Sequence, residues 1–181
     1  AQVLRLREGE AVVLFNGGGV EYAARIAQLA RRSVIAELGA FSALEREAPI
    51  AVTLVQGLSS GERMDLTVQK SVELGVHAIQ PVASEKSVVR LAGERAEARR
   101  AHWQRIAIAA CEQCGRNRIP DIHPIVPLAR CAPPQGSLQL VLAPDAADGL
   151  RSLAIDPTGA VTLAVGPEAG FSDREEKLLV A

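Results

Sequence analysis

Two short polar stretches hold residue types that can do chemistry. Gly166-Pro167-Glu168-Ala169-Gly170 follows an apolar run, Val161 to Val165, and precedes Ser172 with Glu175 three residues on. The run reads as a buried strand, the glycines and proline as a tight turn, and the Ser/Glu pair as a capping box that opens a helix. That order brings backbone N–H groups to the carboxyl end of a strand, where open α/β sheets bind ligands. The same residues also suit an ordinary βα turn. The second stretch, Glu112-Gln113-Cys114-Gly115-Arg116-Asn117-Arg118-Ile119-Pro120, sets basic groups at a helix end. The helix dipole favours cations there, and the same guanidinium groups suit phosphate or base contact. Lys86 and Arg90, with Ser84 and Ser87, form a third group that either cradles a phosphate backbone or is solvated surface.

Other chemistries are disfavoured. There is no GxGxxG and no GxxxxGK[ST], which removes the dinucleotide fingerprint and the triphosphate loop. His77, His102 and His123 have no convincing serine or cysteine partner. Cys111 and Cys114 form a CxxC, but it falls late in a helical pattern, and only His123 and Cys131 could complete a ligand set, so we expect no metal and no redox pair. Three cysteines without a secretory signal point to a reducing cytoplasm. The 181 residues are 48% hydrophobic and 23% charged with net charge -1, a globular balance that neither demands nor excludes nucleic acid. No apolar run approaches the ~18 residues of a membrane span.

These stretches need elements to position them. Residues 1–47 read as short glycine-joined strands: Val3 to Leu6, Ala11 to Phe15, Val20 to Leu29 and Ser33 to Leu38, with a hairpin signal at Asn16-Gly17. We expect a small β-barrel or part of one. Its arginines either face solvent or contact RNA. Glu45 to Pro49 is a polar joint. Beyond it, Ile50 to Val55 reads as a strand buried on both faces, Glu62 to Leu74 as a helix ended by Gly75, and Ala78 to Val82 as a strand. Glu94 to Cys114 reads as a long helix burying Trp103, Ile106, Ala107, Ala110 and Cys114. Ile119 to Ile122 leads a short strand, a proline-punctuated linker follows, and Leu138 to Leu142 and Val161 to Val165 are strands. Residues 48–181 therefore alternate β and α, as in a mostly parallel sheet. The loops 56–61, 83–90, 144–148 and 166–170 would then share one end of it. The chain opens without Met and stops at Leu178-Leu179-Val180-Ala181 without a helix stop signal, so further chain is expected on both sides.

Four ordered motifs over residues 50–175 resemble a known family. Gln56-Gly57-Leu58, Met64-Asp65 and Gln69 to Val76 resemble its QxxxELG helix, and Ser84 to Arg90 its SERSVVR segment. Trp103 to Ala110, Glu112 to Arg116 and Ile119-Pro120 match W-x-x-I…EQ-(S/C)-GR…P, and Gly166 to Ser172 matches GPEGGF(S/T), with Ala169 in place of a glycine. The family is ribosomal RNA small subunit methyltransferase E, of the SPOUT superfamily. The resemblance implies an α/β SPOUT domain over residues 48–181 with a C-terminal trefoil knot, preceded by an RNA-binding PUA-like β-barrel over residues 1–47. The family's closing segment, LGxRILRxETA, supplies the last knot strand and part of the cofactor pocket, and it does not appear before Ala181.

The implied reaction moves a methyl group from S-adenosylmethionine to N3 of a uridine in 16S ribosomal RNA, in a cytoplasmic homodimer away from membranes. N3 carries a proton, so a site must favour the deprotonated imide by a base or by positive charge beside the uracil oxygens. On that reading Arg116 supplies the charge and Glu112 or Glu168 accepts the proton. Backbone groups of Leu142, Ala143 and Pro144, and of Val165, Gly166, Pro167, Glu168 and Gly170, hold the cofactor. Lys86, Ser87, Arg90 and Arg118 contact RNA. Two alternatives stay open: a non-catalytic RNA-binding module, and an α/β enzyme that binds a phosphate-bearing ligand at the Gly166 loop.

Overall fold

The computed structural model describes residues 6–146 and 149–180, which form two units. Most of the expected strand at Val3 to Leu6, two residues of the 144–148 loop, and Ala181 lie outside the described residues. Unit 1 holds the chain up to Glu47 together with Gly115–Ile119; unit 2 holds Ala48–Cys114 and the chain from Pro120.

Unit 1 is an antiparallel meander of β1 (Ala11–Phe15), β2 (Glu21–Leu29) and β3 (Val34–Ser42), in the order β1-β2-β3. The Asn-Gly signal does mark a hairpin, but Phe15 faces Glu21, so the loop is longer than a two-residue turn. Gly17 and Gly19 take positive φ in it. β3 runs past Leu38 to Ser42, and two register shifts against β2 increase its twist. Among the described residues of this unit few apolar side chains are buried; Ala24 and Ile26 are the main ones.

The segment Gly115–Ile119 sits with unit 1, although its sequence continues from a helix of the second unit. Its backbone closes on the hairpin loop: Gly19 N donates to Asn117 O at 3.0 Å and Ile119 N to Gly17 O at 3.0 Å. Its side chains do the rest. Asn117, 1% exposed, donates from Nδ2 to Leu44 O at 2.9 Å, and Arg116 pairs with Glu47.

Unit 2 is built on β4 (Ala51–Gly57), β5 (Ala78–Ala83), β6 (Asp121–Ile122), β7 (Val126–Pro127), β8 (Leu138–Val141) and β9 (Ala160–Val165). Every pairing among them is parallel, in the order β6-β5-β4-β9-β8 with β7 also on β5. β4 is central, which explains its continuous apolar run. The helices are α1 (Gly61–Glu73), α2 (Gly93–Cys114) and α3 (Asp173–Val180). α1 buries Met64, Val68 and Val72, as the spacing of four predicts, and Gly75 ends it at φ 92. α2 buries Trp103, Ala107, Ala110 and Cys111. The buried stripe thus runs through Cys111; Cys114, expected inside, is exposed at the last turn. Asp65 ties the two helices, accepting from Trp103 Nε1 at 3.1 Å and meeting His102 Nε2 at 2.8 Å. Val55, Val82, Leu128, Ala164 and Phe171 form a second apolar cluster, with Leu179 of α3 packed on it.

Candidate functional site

Parallel pairing decides where the loops go. Gly57 is level with Val82, Gln56 with Val165 and Val141 with Ala164, so the turns after β4, β5, β8 and β9 emerge at one end of the sheet. At the β8 and β9 tips the contact is direct: Leu142 N donates to Ala164 O at 2.9 Å. Leu142 to Pro144 and Gly166 to Gly170 therefore leave neighbouring strands side by side.

The Gly166 turn is compact because its backbone folds on itself. Gly170 N donates to Pro167 O at 2.8 Å, with Gly170 at φ 70. A Cβ on Gly166 would lie 2.7 Å from Gly170 C and Phe171 N, so only glycine fits. A Cβ on Gly57 would meet Pro167 Cδ at 2.5 Å, so the β4 tip and this turn touch through backbone and proline ring. The buried Gln56 joins the same tips by donating from Nε2 to Gly57 O at 2.9 Å and Gly166 O at 3.2 Å. The Gly166 turn is thus a compact run of strand-tip backbone, too close-packed for a side chain at Gly57 or Gly166, beside the exposed apolar Leu142.

Glu168 anchors the far side of the turn. Its Oε1 accepts from Ser60 N at 2.9 Å and Ser60 Oγ at 2.8 Å, and Arg63 Nη1 lies 3.4 Å away. Ser60 is the N-cap of α1, so the carboxylate stands at the positive end of that helix. The Ser60 backbone N–H, the backbone N–H of Glu168 itself and the Ser60 hydroxyl hold this carboxyl down to about 2. The expected capping box at α3 is present and reciprocal: Ser172 N donates to Glu175 Oε2 at 3.0 Å and Glu175 N to Ser172 Oγ at 3.2 Å. Glu175 also accepts from Glu85 N at 2.8 Å, and Lys86 Nζ donates to Phe171 O at 2.9 Å. Those two bonds fasten the loop after β5 to the start of α3.

The eight residues expected to hold a cofactor thus fall on two adjacent strand tips. Lys86, Ser87 and Arg90 share the loop after β5. Ser87 is buried and bonded to Ser84 Oγ at 2.8 Å, while Arg90 lines an open cleft of about 760 Å³ with Val89, Leu91, Arg174 and Lys177. Arg118 belongs to unit 1, where it lies 3.6 Å from Glu45. The three residues expected to handle the proton are divided. Glu168 is in the turn, Glu112 is exposed near the end of α2, and Arg116 is in unit 1 with its side chain 8% exposed. Arg116 Nε donates to Glu47 Oε1 at 3.0 Å, and a second guanidinium nitrogen meets Oε2. The sequence places Gln56 and Ser60 in the loop 56–61 at this end of the sheet and Glu175 in a capping box, but not their bracing of the site, because Gln56 and Ser60 act through partners 110 and 108 residues away.

Comparison with known proteins gives concordant matches. An RNA methyltransferase domain model matches residues 46–181 and an RNA methyltransferase PUA domain model matches residues 1–39. Ribosomal RNA small subunit methyltransferase E of Buchnera aphidicola is 30% identical over 181 residues, covering 98% of this chain and 73% of that protein. The crystal structure of ribosomal RNA small subunit methyltransferase E from Neisseria gonorrhoeae bound to S-adenosyl methionine superposes with TM-score 0.92 at 43% identity, covering 99% of this chain and 74% of that one. A putative methyltransferase from Legionella pneumophila, also in complex with that cofactor, gives TM-score 0.88 at 37% identity, covering 98% and 74%.

Proposed function

The chain belongs to the ribosomal RNA small subunit methyltransferase E family of RNA methyltransferases, and on that premise we propose that it methylates N3 of a uridine in 16S ribosomal RNA with S-adenosylmethionine. The observation that carries the reading is the pair of turns, 142–144 and 166–170, leaving adjacent parallel strands at one end of the sheet. When bound, the cofactor supplies an electrophilic methyl on a sulfonium.

This chain's residues bind and orient. Backbone groups of Leu142, Ala143 and Pro144, and of Val165, Gly166, Pro167, Glu168 and Gly170, receive the cofactor, and the rigidity of the Gly166 turn lowers the ordering cost of binding. A carboxyl held to about 2 is a weak proton acceptor at neutral pH, so Glu168 serves to hold the turn. The charge of Arg116 is matched by Glu47, which suits it to fastening Gly115–Ile119. Glu112 lies in the last turn of α2, which runs from the loop after β5 back to the start of β6, so within one chain it stands at the opposite end of unit 2 from the Gly166 turn and does not reach a uridine held there. Lys86, Arg90 and Arg118 meet RNA phosphates, and Ser87 shapes its loop. A homodimer in the cytoplasm, and a trefoil knot around the Gly166 turn, belong to the same reading.

The test is calorimetry with S-adenosylhomocysteine on the full-length protein, carrying any sequence beyond residue 181, followed by methyl transfer to 16S ribosomal RNA and nucleoside analysis of the product. Saturable binding and N3-methyluridine are expected. A methyl on another atom removes the N3 assignment, and a chain indifferent to S-adenosylhomocysteine removes the reading.

A further inference from the structure

Gln56 is an amide in a strand whose only other polar side chain is Thr53. It lies on β4 between Val165 of β9 and Pro81 of β5, and only 4% of it is exposed. Its carboxamide nitrogen carries two hydrogens and meets two carbonyls, Gly57 O at 2.9 Å and Gly166 O at 3.2 Å. Both carbonyls belong to glycines at strand tips. Neither glycine tolerates a Cβ, so no side chain of their own can lock those peptides. The lock comes from Gln56. Rotating the peptide of Gly166 would break its bond to Nε2 and swing the turn that begins there.

We propose that Gln56 is a positioning residue for the Gly166 turn: its carboxamide fixes the Gly166 carbonyl, and with it the backbone groups that receive the cofactor. The inference rests on the function proposed above, and the molecule carries its own control. Gln80 on β5 repeats the device, donating from Nε2 to Pro81 O at 2.9 Å and Pro124 O at 2.8 Å. That amide joins β5 to the Pro124 segment and touches neither turn of the proposed pocket. A residue that only stabilises the sheet and one that positions the turn are therefore separable by comparing the two.

The experiment measures S-adenosylhomocysteine affinity by calorimetry, and the KM for S-adenosylmethionine, in the full-length wild type and its Q56L and Q80L variants. Both variants should melt earlier. Q56L should bind about tenfold or more weakly, the effect of losing roughly one buried hydrogen bond's worth of organisation, with KM raised and kcat at saturation little changed. Q80L should bind within about twofold of wild type. Equal affinity of Q56L and wild type, or equal losses in Q56L and Q80L, overturns the proposal. Wild type that fails to bind overturns the functional reading and takes this inference with it. Should Q56L not fold, Q56E read across pH decides. Its protonated acid can donate one hydrogen bond where its carboxylate can donate none, so affinity should rise as pH falls through the titration of that side chain, relative to wild type. A pH profile identical to wild type overturns the proposal.

Discussion

Gly115–Ile119 and Gly166–Gly170 look alike on paper. Each starts with a glycine after a regular element, each carries charge, and each is a natural first choice for a site. In the structure both use side chains, and they differ in what their backbones do. The first pairs its backbone with the hairpin loop at Gly17 and Gly19 and adds the Arg116–Glu47 pair, the Asn117 bond to Leu44, and Arg118 near Glu45. The second folds its backbone on itself, Gly170 N to Pro167 O, and is braced by Gln56 from β4 and by its own Glu168 carboxylate on Ser60. A motif whose backbone and side chains are both paired with another segment acts as a fastener. A motif that folds on itself at a strand tip is a turn braced in place.

Substitutions can break or sharpen that contrast. The largest effect should come from Arg116→Ala, which strands a mostly buried Glu47 carboxylate and should lower stability by about 3–5 kcal/mol, read by denaturant melts. Removing both charges together, as R116M with E47M, should recover most of the loss. If R116A melts like wild type, the fastener description fails. Gly166→Ala should come next, because backbone atoms at 2.7 Å cannot step aside. A loss of about a hundredfold in S-adenosylhomocysteine affinity is expected, equivalent to ~2.7 kcal/mol. Binding that survives would mean the turn is looser than described. Ser172→Ala removes the acceptor for Glu175 N and should cost about 1 kcal/mol, seen as earlier fraying of α3 in amide exchange.

The smallest effect should be a pH dependence, since solvent screens Glu168. Its carboxyl is lowered in the fold, so its contribution is complete above the ordinary carboxylate range. It fades as pH falls from about 4.5 toward about 2. The protection of the Ser60 amide, its exchange rate relative to the unprotected rate at the same pH, should fall over that interval in wild type and stay flat in Glu168→Gln. Parallel curves would show that the Ser60–Glu168 contact adds nothing to the turn.

Much of unit 2 was legible because its signals are local. The apolar run of β4, the spacing of Met64, Val68 and Val72, the C′ glycine at 75 and the box at Ser172 and Glu175 depend on neighbours within a few residues. The shared end of the loops followed from strands alternating with helices. What escaped was non-local. Nothing near Arg116 announces Glu47, 69 residues back, and nothing near Lys86 announces Phe171, 85 residues on. The pairing of Val126–Pro127 with β5 hid in a proline-rich stretch, since proline can sit at a strand edge that donates nothing there. The candidate site was located by its backbone pattern. Its bracing was not, because an amide such as Gln56 reads as one polar residue in a strand until its partners are in place.

The neighbour of β4 in the sheet is β9, and the Gln56–Gly166 bond spans 110 positions. Long-range parallel pairing of this kind is slow to nucleate, because a large loop must close before any bond forms. During synthesis β4 and β5 leave the ribosome while the strand that completes them is still untranslated. One edge of the central strand then waits, apolar and unpaired, until Val165 has emerged. A methyl-transfer pocket at this seam would be among the last parts of the chain to exist, so an interrupted nascent chain would carry a sticky edge and no activity.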